Sequence, residues 1–162
     1  MTTDSKPVLY GPEQQFAVFA AYTMPVTEHQ LKSLYSDWVN APFYNGTVWE
    51  THASCEQVEK NPCMRTMVMK EFYLEPSGKD FVDMFARGYR HALLDELHAF
   101  AMSEITNRLL QKYKIFALGN YFRRKRNDFC PVVFATRGLR YLQYDFVYAR
   151  YRADHRFLFV HV

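Results

Sequence analysis

The chain has 162 residues, 49% of them hydrophobic and 17% aromatic, including 14 Phe and 12 Tyr; that composition suits one packed core and excludes a disordered chain. Its net charge of +3 conceals an uneven distribution, because residues 1–85 carry 6 Lys/Arg against 11 Asp/Glu while residues 86–162 carry 14 against 6. Three widely spaced cysteines argue against a disulfide framework, and the apolar run at 16–22 falls far short of the ~20 residues of a membrane helix.

Residues 1–13 have no apolar core and read as an N-terminal arm without a secretory leader. An intracellular protein is expected, cytoplasmic or, in a nucleated host, nuclear. No repeat, low-complexity tract or Gly/Ser linker divides the chain, so residues 1–162 are taken as a single α+β domain.

Residues 14–24 are apolar and aromatic, closed by Pro25, and predict a largely buried strand. Thr27 and Gln30 make a capping-box pattern ahead of Leu31, Leu34, Tyr35 and Trp38, whose spacing predicts a helix ended by Pro42. Asn45-Gly46 is a turn signal. Residues 47–54 and 64–74 then predict two strands of a hairpin, joined by the polar stretch around Glu59 to Pro62.

Ser77 or Asp80 can cap a long helical segment over 79–113, with Leu93, Leu97, Phe100 and Ala101 in one stripe, a bend at Gly88 and a stop at Gly119. Residues 132–136, 140–151 and 156–162 predict three strands in an antiparallel meander, with tight spacers at 137–139 and 153–155. In order the elements read β-α-β-β-α-β plus a C-terminal hairpin. The expected fold is therefore α+β, an antiparallel sheet with two helical segments in ferredoxin-like (split βαβ) order and a C-terminal β-hairpin.

Positive charge peaks at Arg123, Arg124, Lys125 and Arg126, expected in a loop after the long helix. Four neighbouring cations repel one another, and a phosphate backbone relieves that repulsion. In the strand that follows, a period of two puts Leu142, Tyr144, Phe146 and Tyr148 on the better core face. It leaves Tyr141 and Tyr151 on the more polar face, near Arg140, Arg150 and Arg152, where rings among arginines can stack unpaired bases. The RNA-recognition signature K/R-G-F/Y-G/A-F-V-x-F/Y is absent, since the strand Met67 to Leu74 contains no glycine.

Catalytic motifs are sparse. At about 100° per helical residue, Asp95 and His98 fall close to His91 and could hold a divalent metal or an oriented imidazole. That arc continues into Met102, Ile105 and Leu109, so a hydrogen-bonded pair at the edge of the core is the stronger expectation. Glu104 and Arg108 form an i,i+4 pair inside the apolar stripe. His52, Cys55, Cys63 and Cys130 offer zinc-type ligands without the paired C-x-x-C spacing of structural sites. His52-Ala53-Ser54 matches one half of the paired H-x-[ST] signature of 2H phosphoesterases, and no second half occurs.

These observations predict a non-enzymatic nucleic-acid-binding protein, for RNA or a single strand, using Arg123, Arg124, Lys125, Arg126, Arg140, Tyr141, Arg150, Tyr151 and Arg152. No cofactor, metal or membrane contact is expected. One alternative is a protein-interaction module, an inhibitor or adaptor, that meets an acidic protein surface. A second is a small metal-dependent hydrolase or nuclease built on His91, Asp95 and His98. The abundance of Phe and Tyr that must find cover leaves room for a homo-oligomer.

Overall fold

The run Phe157-Leu158-Phe159-Val160 has no polar alternation, and such a strand has to be buried on both faces. The computed structural model describes residues 14–22, 38–39, 49–70, 88–103, 106–124, 126–146 and 154–162, and in it this run lies inside the sheet. The described strands are β1 (Gln14–Ala20), β2 (Trp38–Val39), β3 (Glu50–Thr51), β4 (Cys63–Lys70), β5 (Tyr89–His91), β6 (Lys114–Phe116), β7 (Asn120–Arg124), β8 (Asn127–Thr136), β9 (Leu139–Phe146) and β10 (His155–His161). Two helices accompany them, α1 (Leu94–Met102) and α2 (Asn107–Lys112).

The strands run in the order β1-β4-β10-β6-β8-β7-β3, with β9 along the other edge of β8 and β2 beside β9. Most pairs are antiparallel; β6 with β10 and β2 with β9 are parallel. Strand β4 lines one edge of β10 at Phe157 to Val160, so β6 and β5 divide the other edge between them.

Alternation along each strand separates two apolar layers. Met67, Met69, Val133, Leu142, Leu158 and Val160 pack with Leu97, Phe100 and Ala101 of α1 and Leu110 of α2. Phe116, Leu118, Cys130, Val132, Phe157 and Phe159 form the layer on the opposite side. Phe100 is fully buried, with its ring edge-on to Phe16 at 5.3 Å.

Leu93 precedes α1 and offers no capping oxygen, so other groups satisfy the first turn. Glu96 Oε1 accepts the Leu93 N–H at 2.9 Å, and Asn120 Oδ1 on β7 accepts the Leu94 N–H at 2.6 Å. Asp95 and Glu96 in that turn also suit the positive end of the helix dipole. At the other end the Thr106 hydroxyl donates to the carbonyls of Phe100 and Ser103. Gly119 permits a close approach: its N–H donates to Ala92 O at 2.8 Å, and a side chain there would meet that oxygen at 2.4 Å.

The mixed, sheet-dominated and mostly antiparallel character is as the sequence predicts; the ferredoxin-like order is not seen among the described strands. Split βαβ order sets the strand at 64–74 between those at 14–24 and 47–54; the first of these pairings is present, since β1 runs antiparallel to β4, and the second is not. Strand β3 is only two residues long and pairs with β7 instead of forming a hairpin with β4. The reason is local, because the His52 ring accepts the Ser54 N–H and turns the chain into a 3₁₀ turn at Ala53–Cys55.

The long helix expected over 79–113 is likewise replaced over its described part. Tyr89 to His91 pair with β10, α1 and α2 are separate, and Gly88 takes φ +86° just before β5. Sheet pairing there overrides helix propensity. Of the helix expected after Thr27, Trp38 is in strand β2, and residues 23–37 lie outside the described residues, as do the arm at 1–13 and the segment 71–87. The C-terminal hairpin is not formed by the described residues either: β10 pairs with β4, β5 and β6, and β9 pairs with β8 and β2.

Candidate nucleic-acid interface

The basic run does not lie in a loop after a helix. Arg123 and Arg124 end β7, Asn127 begins β8, and Arg124 stands opposite Asn127, so the two strands form a hairpin with Arg126 beside its last pair. What fixes this hairpin is its apolar side, where Phe122 stacks on Phe129 at 5.1 Å and Tyr144 meets both rings edge-on at 5.1 and 5.3 Å. Trp49, just before β3, closes the cluster against Phe122 at 5.0 Å. Aromatic rings so placed hold register.

Arg123 and Asp128 are direct cross-strand partners. Arg123 Nε donates to Asp128 Oδ1 at 2.8 Å and Nη2 to Oδ2 at 3.3 Å. The Arg123 side chain stays 66% exposed while Asp128 is only 15% exposed, so the carboxylate orients the guanidinium and the guanidinium faces water. Part of the repulsion expected within the run is thus relieved inside the hairpin. Arg126 and Asn127 are exposed at the tip, and Lys125 and the Arg124 side chain lie outside the described residues.

The remaining candidates divide between locations. Arg140 and Tyr141 leave β9 on opposite faces. Arg140 turns to the helix side, where Nη1 donates to Ala101 O and contacts Met102 Sδ, both at 3.4 Å, a cation at the negative end of α1. Tyr141 is half-buried on the other face, its ring parallel to Phe134 with centroids 5.0 Å apart. Leu142 and Tyr144 do lie on the core side, as the period of two requires. Arg150, Tyr151 and Arg152 lie outside the described residues.

Asp128, Cys130, Val132 and Phe134 alternate onto one face of β8, so Arg123 and Tyr141, their cross-strand partners at 128 and 134, share that face. Six residues separate the two positions, roughly 20 Å along the strand. Lys114, unrecognised in the sequence, joins this face with Nζ 5.0 Å from the Phe134 ring centroid. The Phe134–Tyr141 pairing was not read from the sequence: the spacer expected at 137–139 sets 134 opposite 142, whereas the two-residue turn at Arg137-Gly138 sets it opposite 141. Nor was the position of Lys114, since it depends on β6 pairing with β8.

The catalytic alternative is dispersed. His91 is on β5 and not on a helix, buried between the His52 ring at 5.0 Å and Phe159 at 5.3 Å, and burial, with His52 beside it, pushes its pKa down to about 3. Asp95 pairs with Lys60 at 3.2 Å. His98 is buried on α1, and burial lowers it to about 4. Among the described residues no group of three or more His, Cys, Asp or Glu is placed to hold a metal ion. Cys130 is buried in the second apolar layer on β8, and Cys55 is buried in the 3₁₀ turn that follows β3. Glu104 lies outside the described residues, and Arg108 is exposed.

The densest buried polar group was missed in the sequence. Arg90 donates to both oxygens of Glu96 at 2.7 and 2.6 Å, Tyr22 OH donates to Glu96 Oε2 at 2.7 Å, and Arg65 Nε donates to Tyr22 OH at 2.9 Å. Burial alone raises the Glu96 carboxyl, but the Arg90 hydrogen bonds and charge outweigh it and hold the pKa low. Both carboxylate oxygens are saturated with donors, which makes Glu96 a fold-holding anion and a poor proton carrier. It joins β5, α1, β4 and the end of β1.

Comparison with protein-family models, curated proteins and solved structures finds no match. Function therefore rests on the geometry above. No helix of the described residues is long and apolar enough to cross a membrane.

Proposed function

We propose that the protein binds nucleic acid, as RNA or a single strand, with the β7–β8 hairpin as its phosphate contact. The observation that carries this reading is the exposure of Arg123 on β7 and of Arg126 beside the last β7–β8 pair, in a hairpin registered by stacked aromatics. A hairpin registered by stacked aromatics presents cations at fixed separation with little ordering left to do on binding. Arginine also suits phosphate because its planar fork donates two parallel hydrogen bonds. Arg123, already oriented by Asp128, keeps most of its surface open to an incoming oxygen.

Fluorescence anisotropy of a labelled single-stranded RNA, titrated with salt, tests the reading. If all four residues 123–126 neutralise phosphates, log K falls against log salt with a slope of about −3. Absence of binding at low salt overturns it. Capture of a protein partner that persists after nuclease treatment, with no RNA affinity, points instead to an acidic protein surface.

A further inference from the structure

Strand β1 ends the sheet. Among the described strands it pairs only with β4, and that pairing runs without a bulge from Gln14 opposite Met69 to Ala20 opposite Cys63. An edge strand offers backbone N–H and C=O groups to any strand that reaches it, and proteins blunt such edges with shortness, charge, proline or bulges. At the far end of the order β3 is blunted by its two-residue length. β1 is seven residues long, and none of Gln14 to Ala20 is charged, proline or glycine. The face beside this edge is apolar as well. Val18 and Ala20 are buried toward the core, so Ala17 and Phe19 point away from it. Phe19 is 57% exposed and its cross-strand partner Met64 is 60% exposed, while Ala17 and its partner Thr66 are exposed beside them. Two large apolar side chains in direct register make a patch instead of a scatter.

We propose that β1 is a self-association edge, which pairs antiparallel with β1 of a second copy across a two-fold axis and covers the Phe19–Met64 patch. Charge selects the second copy as occupant: a two-fold contact brings the same surface of both chains together, and a strand without charge meets itself with no like-charge opposition. With the axis at Val18, Phe19 falls opposite Ala17 of the partner subunit and Phe16 opposite Ala20 of the partner subunit, large against small. The pair closes, because the two-residue β3 leaves no second long edge at the other end of the order from which a fibre could grow. Pairing of Phe16 to Ala20 spans about 17 Å. With one apolar row beside it, such a contact is smaller than the ~1,600 Å² of a standard interface, so the dimer is reversible and dissociates on dilution. Arg123 and Arg126 belong to the β7–β8 hairpin, toward the other end of the strand order, and stay outside this contact.

Sedimentation velocity of the full chain over a dilution series, with hydrogen exchange on the same samples, tests the edge. Wild type should pass from monomer to dimer without larger species as concentration rises, and the amides that gain protection should be those of β1. Ala17→Lys, which sets a cation on the exposed side of the edge, and Phe19→Thr, which keeps a strand former and removes the ring, should each weaken the dimer by about 10-fold. Thermal unfolding of each variant checks that the sheet stands, and the exchange pattern of wild type decides the matter should a variant fail to fold. A chain that stays monomeric at every concentration overturns the proposal, as does a ladder of larger oligomers. So does protection that rises outside β1 and not within it, or a dimer that both variants leave at wild-type strength. A monomeric wild type that instead takes up a strand of a different protein at β1 also overturns it, and makes the edge a docking site for that partner.

Discussion

Glu96 has no solvent exposure, yet it carries a charge, because Arg90, Tyr22 and the Leu93 N–H together supply donors to both its oxygens. Removing one partner of a buried pair leaves the other charge stranded, so Glu96→Ala should cost about 3–5 kcal/mol in urea unfolding. Replacing Arg90 by Met in the same molecule should recover much of that loss, since the cost lies mainly in the uncompensated guanidinium. Tyr22 holds a left-handed backbone at φ 57°, and its hydroxyl bonds to Glu96 and Arg65 keep it there; burial and the Glu96 carboxylate raise its pKa to about 12.

Two buried imidazoles set the response to acid. His91 and His98 titrate at about 3 and about 4 in the folded protein, chiefly because burial disfavours the cation, against about 6.5 in an unfolded chain. The unfolded state therefore binds more protons below neutrality. Their contribution is whole above pH ~6.5 and declines as pH falls toward 4, by on the order of 1 kcal/mol per pH unit for each ring. Glu96 adds a later loss, which begins as pH falls through the ordinary carboxylate range, where the unfolded chain takes up the proton, and continues toward its lowered folded pKa. Urea midpoints measured from pH 7 to 5 should fall steadily, and the fall should be shallower in His98→Phe. A flat profile over that interval would contradict neutral burial of the two rings.

Among the elements, the β8–β9 hairpin was the most legible. Its two-residue turn takes φ 54° at Arg137 and φ 79° at Gly138, the conformation that matches the twist of paired strands. Glycine adopts that region freely and arginine does so with strain, while asparagine tolerates it. Arg137→Asn should therefore stabilise the protein by about 1 kcal/mol, visible as a Tm rise of about 2–4 °C. β1 and β4 were legible for a similar reason, since each is a long apolar run ended by turn residues or proline. The helix over 79–113 was not. Its stripe of Leu93, Leu97, Phe100 and Ala101 is real within and beside α1, but Tyr89 to His91 were drawn into the sheet by β10, a partner some 70 positions away. No local pattern reveals that competition.

For the molecule as a whole, the misplaced piece was β10. Its unbroken apolar run at 157–160 signalled burial on both faces, and a central position between β4 and β6 follows from that signal more directly than a terminal hairpin does. On its other edge β6 pairs with β8, which brings Lys114 toward Phe134, so the sheet order decides which charged and aromatic residues meet. The candidate site was legible only as the local charge run at 123–126, and there without its hairpin setting. It was opaque where it depends on face: Arg140 and Tyr141 adjoin in sequence and point to opposite sides of the sheet.

That divergence supplies the most direct test of the central claim, that the hairpin tip contacts phosphates. The measurement is the salt dependence of single-stranded RNA affinity in wild type, in an Arg123→Ser/Arg126→Ser variant and in Arg140→Ser. Each lost phosphate contact should reduce the slope by about 0.7, so the double variant should be shallower than wild type by about 1.4, with Arg140→Ser unchanged. A double variant with the wild-type slope, alongside a shallower slope in Arg140→Ser, would contradict the account.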